Sequence, residues 1–239
     1  MSIFSKNRSG FKELWLISFR LYRKSFLHVW PLVALFSAGL IISFAISAAY
    51  KFYNFESKII GGVIPLILFL INIYLTSLLL LKIHEVGIDE KRSWKNLLTV
   101  VNKKFLNLTA SMFIVVASYF LGLVSLILPG IFLVILFAMV QPLILFDDLG
   151  IISSIKGSCK LVWRNWWRTF GVIFPLLLIS FWISYSIGYA VNEKEWSIVA
   201  FDLILCILLY PLFYACIITV FNDLKIRKEL GTAEVKLVE

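Results

Sequence analysis

Long apolar runs, separated by clusters of Lys and Arg, constrain this chain more than any other feature. Six stretches, 31–49, 59–81, 107–127, 130–146, 170–190 and 196–221, are almost free of charge. A helix needs about 20 mostly apolar residues to cross the hydrocarbon of a bilayer. A soluble domain is about 25% charged and about half apolar, whereas this chain is 15% charged and 61% hydrophobic. The residues therefore predict an all-α polytopic membrane protein with six transmembrane helices, forming a single integral membrane domain over 1–239. Read as one helix, 107–146 would be about 60 Å long, roughly twice the hydrocarbon thickness. Leu128-Pro129-Gly130 is expected to end the third span there and reverse the chain. The first run follows a long polar lead-in and reaches Ser47-Ala48-Ala49, proportions that fit an uncleaved span rather than a signal peptide.

Charge gives the orientation. Twenty of the 23 Lys and Arg fall before the first span, between the second and third, between the fourth and fifth, or after the sixth. Lys51, Lys58 and Lys194 are the exceptions. Because cytoplasmic loops carry the basic excess, both termini are predicted to be cytoplasmic.

The basic connections are themselves patterned. Phe11, Leu14, Trp15, Tyr22 and Phe26 fall near one helical face, as do Trp94, Leu97, Leu98, Val101 and Phe105, and again Ile152, Ile155, Cys159, Val162 and Trp166. Each stripe leads into a similar junction: Lys24-Ser25-Phe26-Leu27, Lys103-Lys104-Phe105-Leu106 and Arg164-Asn165-Trp166-Trp167. The pattern predicts a pseudo-threefold repeat of one cytoplasmic amphipathic helix plus a transmembrane hairpin, with units near 9–82, 92–146 and 149–224. Such helices lie in the headgroup boundary, where Lys and Arg meet anionic lipid. Lys24, Lys103, Lys104, Arg164 and Arg168, with the interface aromatics Trp163, Trp166 and Trp167, are the predicted lipid contacts. Interleaved aromatic and basic residues also occur in nucleic-acid sites, but their place beside a span favours membrane lipid and no nucleic acid.

One stretch carries a resemblance. Pro129 and Gly130 open it, Asp147 follows, then Gly150, Ser154, Ser158, Trp163 and Asn165. This resembles the YciC family of bacterial inner-membrane proteins. The closing Asn222-Asp223-Leu224-Lys225-Ile226-Arg227 is similar to a broader group that includes the membrane domain of some glycerophosphodiester phosphodiesterases. The resemblance implies a multi-pass protein of the bacterial cytoplasmic membrane and brings no catalytic residues with it.

Asp202 is the one acid well inside a predicted span. An intramembrane acid is expensive and raises the question of an ion or solute site. Gln141 and Asn72 are the other intramembrane polar candidates, and hydrogen bonding of Asp202 to either, or to a Ser, is the structural alternative. Gln141-Pro142, Pro65, Pro175 and Pro211 introduce expected kinks of the kind that also build transporter sites. Asp147-Asp148 is expected to cap the helix that begins near Gly150. Nothing has the spacing of a nucleophile with its base, a phosphate loop or a metal site, so no enzyme activity, metal or cofactor is expected. The expected function is contact with anionic lipid through basic amphipathic helices, serving envelope organisation. The alternative is a small transporter or permease with its polar site around Asp202.

Overall fold

Uninterrupted runs of Leu, Ile, Phe and Ala propagate as long helices, and in apolar solvent the helix also satisfies every backbone polar group internally. The computed structural model describes residues 3–4, 9–53, 58–90, 92–125, 127–193 and 196–236. Within these, the side chains of 40–41, 43–53, 58–62, 123–125, 127, 191–192, 196, 199 and 231–236 lie outside the description. Among the described residues the fold is eight helices and no strand: α1 (Phe11–Tyr53), α2 (Lys58–Ile88), α3 (Trp94–Ser125), α4 (Ile127–Leu136), α5 (Val140–Asp147), α6 (Ile151–Trp163), α7 (Trp166–Glu193) and α8 (Trp196–Lys236).

Among the described residues, five segments are long and apolar enough to cross a membrane: Val63–Ile88, Trp94–Gly122, Leu128–Asp147, Trp166–Ala190 and Ala200–Leu230. About half of the predicted first span, 31–49, falls on side chains outside the description. Large apolar side chains turn outward from these helices: Leu106, Phe120, Leu121, Phe181, Trp182 and Phe201 are all more than half exposed. Buried among the helices are Leu80, Ile83, Leu108, Ile135, Ile144 and Phe221, with the small residues Ser18, Ser25, Ser77, Ser111 and Ala215 between them. Small polar residues at close helix contacts are characteristic of packing in lipid, where burial of apolar surface drives nothing.

Three expectations about the elements are corrected. The first two amphipathic stretches are not separate helices. α1 runs unbroken through Lys24–Leu27 for 43 residues, and α3 runs unbroken through Lys103–Leu106 for 32. No helix breaker stands at either junction, so the helix continues. In the third unit α6 and α7 are distinct, separated at Arg164 and Asn165.

The second correction concerns Pro129-Gly130, which lies in the first turn of α4 rather than in a loop. Proline is tolerated there because those N–H groups have no intrahelical acceptor. Gly130 serves a close approach: a Cβ added at Gly122 of α3 would meet its Cα at 3.0 Å. The hairpin packs backbone against backbone at this pair.

The third is that the predicted fourth span is two helices. Pro142 has no N–H to offer the carbonyl of Ala138, and its ring crowds that carbonyl. The chain turns over 137–139, with Phe137 and Val140 bonded to Leu133 and Phe137 at 3.0 and 3.1 Å.

Candidate lipid interface

Ser158 closes the break between α4 and α5. Its hydroxyl donates to the Leu136 carbonyl at 2.7 Å and accepts from the Met139 N–H at 3.2 Å. Ser158 is fully buried, as is Ser154 one turn earlier, which bonds the Ile151 carbonyl of its own helix. One side chain of α6 therefore supplies both partners that the broken span lacks. Beside it, Trp166 donates from Nε1 to the Phe132 carbonyl at 3.4 Å and stacks on the Phe132 ring with centroids 5.3 Å apart.

Acids at the ends of the hairpins are engaged by bases from other helices. Asp89 and Asp148 take left-handed backbone, φ 63° and 53°, just beyond the C-termini of α2 and α5. Asp tolerates this conformation better than most residues. Lys24 of α1 bonds Asp89 at 2.8 Å. Lys104 of α3 bonds Asp148 and also donates to the Leu145 carbonyl at 2.7 Å, satisfying an orphan group at the end of α5. The hydrogen bond from Lys24 draws the Asp89 carboxyl down to about 2. That from Lys104 likewise holds Asp148 below its ordinary range. The expected capping of α6 by these acids is not what forms: Gly150 is its N-cap, with no side-chain hydrogen bond, and Asp147 bonds Lys225 at 2.5 Å. The acids are drawn to full positive charges, which outcompete the partial charge of a helix end.

A third closure joins α7, α8 and the segment before α1. Asp223 is buried and accepts from Arg168 Nε at 2.9 Å, Arg227 Nε at 2.8 Å and the Ser9 N–H at 3.0 Å. Both guanidinium groups also donate to the Ser9 carbonyl. Nearby, Glu85 is buried against Lys82 at 3.0 Å and accepts from the Arg92 N–H. His84 lies between the rings of Phe4 and Phe146, at 5.8 and 4.2 Å.

The predicted lipid residues thus divide. Lys24, Lys104 and Arg168 are committed to internal partners, and Trp166 is half-buried against Phe132. Lys103, Arg164, Trp163 and Trp167 are exposed, the last two at 64% and 78%. Pro129, Trp163, Arg164, Asn165, Trp166, Trp167 and Arg168 line one groove of about 840 Å³ together with Leu128 and Phe132. The basic tally puts Arg164 on the cytoplasmic side and Pro129, at the start of the fourth span, on the other, yet here both line the groove. The break at 137–139 separates α4 from α5, and α4 packs against both α6 and α7.

The intramembrane candidates are not gathered into one site. Gln141 donates from Nε2 to Thr76 Oγ1 of α2 at 3.1 Å. Asn72, one turn before Thr76, faces α1, where its Oδ1 would lie 3.8 Å from a Cβ on Gly39. Asp202 is 4% exposed, and its Oδ2 has no hydrogen-bond partner among the described residues. It stands one turn before Cys206, in the small cluster that Cys206 forms with Ile183, Ile187 and Ala190. Asp202 bonds neither Gln141 nor Asn72 among the described residues.

Comparison with protein-family models, with characterised proteins and with solved structures finds no match to this chain.

Proposed function

We propose that this chain is a non-enzymatic protein of the bacterial cytoplasmic membrane, of the YciC kind, that holds anionic lipid against a basic face and serves envelope organisation. One observation carries the reading: the acids of the hairpin ends are neutralised internally, while many bases are not. Glu85, Asp89, Glu90, Asp147, Asp148 and Asp223 each bond a Lys or Arg. Arg20, Arg23, Lys95, Lys103, Lys156 and Lys160 are exposed and form no ion pair among the described residues. The net charge of +9 is therefore concentrated on side chains open to a partner. Each Lys or Arg near an anionic surface contributes about 1 kcal/mol of attraction.

The threefold repeat belongs to the same proposal and gains support from the closures. In each unit a cation at or near the junction bonds an acid at the end of that unit's hairpin: Lys24 with Asp89, Lys104 with Asp148, Arg168 with Asp223. The six-span arrangement with cytoplasmic termini rests on the basic tally.

The test is the lipid that co-purifies with the full chain. Changing Arg20, Arg23, Lys95, Lys103, Lys156 and Lys160 to Gln should lower the ratio of phosphatidylglycerol to phosphatidylethanolamine retained, measured by mass spectrometry. An unchanged ratio sinks the reading. Lys104 and Arg168 are left intact because their loss would perturb the fold.

A second reading, a small transporter with its site at Asp202, is favoured by the Oδ2 of that residue, which has no partner among the described residues. Proton- or solute-driven flux in proteoliposomes that Asp202→Asn abolishes would support it.

A further inference from the structure

We infer that the groove between the start of α4 and the α6–α7 turn is a discrete site for one anionic phospholipid, its phosphodiester on Arg164 and an acyl chain along the tryptophans. This rests on the lipid reading above and gives it a location and a stoichiometry. The groove's volume, about 840 Å³, lies within the ~300–1,000 Å³ of sites that bind small molecules. Its walls are apolar: Leu128 is 79% exposed, Trp163 64% and Trp167 78%, with the Phe132 ring behind them. Tryptophan is the side chain that combines a large apolar face with one donor, the chemistry of the headgroup boundary.

The charge at the rim selects the head. Arg168 also lines the groove, but Asp223 and the Ser9 carbonyl engage its guanidinium. Arg164 is exposed and has no acid partner among the described residues. It sits in the turn that opens α7, where the first N–H groups of a 28-residue helix have no intrahelical acceptor. A helix N-terminus and an unengaged guanidinium beside an apolar wall fit one ligand class, an amphiphile with an anionic phosphate head.

The full chain in detergent is titrated with phosphatidylglycerol brominated on its acyl chains, and tryptophan fluorescence is followed. We expect saturable quenching at one lipid per chain, weaker binding of the phosphatidylcholine analogue, and loss of most of the quenching in the Trp163→Phe, Trp167→Phe double variant. Arg164→Gln should weaken binding about fivefold, one basic contact's worth, and Arg164→Lys should recover most of it. Quenching that rises without saturation, equal affinity for the zwitterionic lipid, indifference to Arg164→Gln, or a dimer that occludes the tryptophans would each overturn the site. If Arg164→Gln has no effect while the six basic substitutions still change the co-purified lipid, the groove fails and the general reading stands. If neither matters, both fail.

Discussion

Arg168, in the first turn of α7, donates through Nε to Asp223 of α8 at 2.9 Å, across 55 positions of sequence. The bond recruits Arg227 from the next turn of α8 and the backbone of Ser9 before α1, so one buried carboxylate fixes three parts of the chain. Removing one partner from a buried ionic group costs about 3–5 kcal/mol, because the remaining charges are left without compensation. Asp223→Asn should therefore lower the unfolding free energy in mixed micelles by about 3 kcal/mol. The triple variant Asp223→Leu, Arg168→Met, Arg227→Met should recover part of that loss, since it buries no orphaned charge. A triple variant less stable than the single one would show that the network is not the source.

The break in the fourth predicted span supplies a second test. Ser158→Ala removes the acceptor of the Met139 N–H and the donor to the Leu136 carbonyl together. A buried backbone group left unsatisfied costs about 1–3 kcal/mol, so destabilisation of that order is expected. Faster amide hydrogen exchange at Met139 should accompany it. Ser154→Ala, whose hydroxyl bonds a carbonyl within its own helix, should cost less.

These two sites mark what the sequence makes legible and what it does not. Helices, apolar runs and basic clusters are local patterns, and they are readable because a span is defined by its own residues. The break at 137–139 has a local cause in Pro142, which the sequence shows, but Ser158 as its repair is a contact between helices. Lys24, Lys104 and Arg168 look like free surface charges when read along the chain. They become closures because the fold brings Asp89, Asp148 and Asp223 to them, at separations of 65, 44 and 55 residues. Periodicity carries no information on which distant acid meets which base. Arg164, Trp163 and Trp167, by contrast, remain exposed.

The Lys24–Asp89 pair gives a pH prediction. Its two side chains are about half exposed, 44% and 50%, so its weight in stability is small. The folded carboxyl is lowered from 3.8 to about 2, by the hydrogen bond from Lys24 first. A depressed acid stabilises the fold above its unfolded pKa and loses that contribution as the pH falls through the folded value. The window is therefore between about pH 4 and pH 2. Carboxyl NMR of the protein in micelles should show Asp89 titrating near the bottom of that window, and Lys24→Ala should move it upward. An Asp89 midpoint that Lys24→Ala leaves in place would rule out the pairing as its cause.

Asp202 separates the two functional readings. Its Oδ2 is buried and unpartnered among the described residues, at a position one turn from the cluster of Ile183, Ile187, Ala190 and Cys206. On insertion scales an Asp deep in a span costs about 2.5–3.5 kcal/mol, less when shallower. No donor among the described residues meets that oxygen, unlike Asp223 with its three donors. If the residue has only a structural presence, Asp202→Leu should leave stability unchanged or raise it, in contrast to the loss at Asp223. Lipid retention should be unaltered as well, because the basic face and the groove do not include it. A variant that unfolds more readily would mean that Asp202 holds a bond in the membrane, and a variant that folds normally but loses flux in proteoliposomes would move the balance to transport.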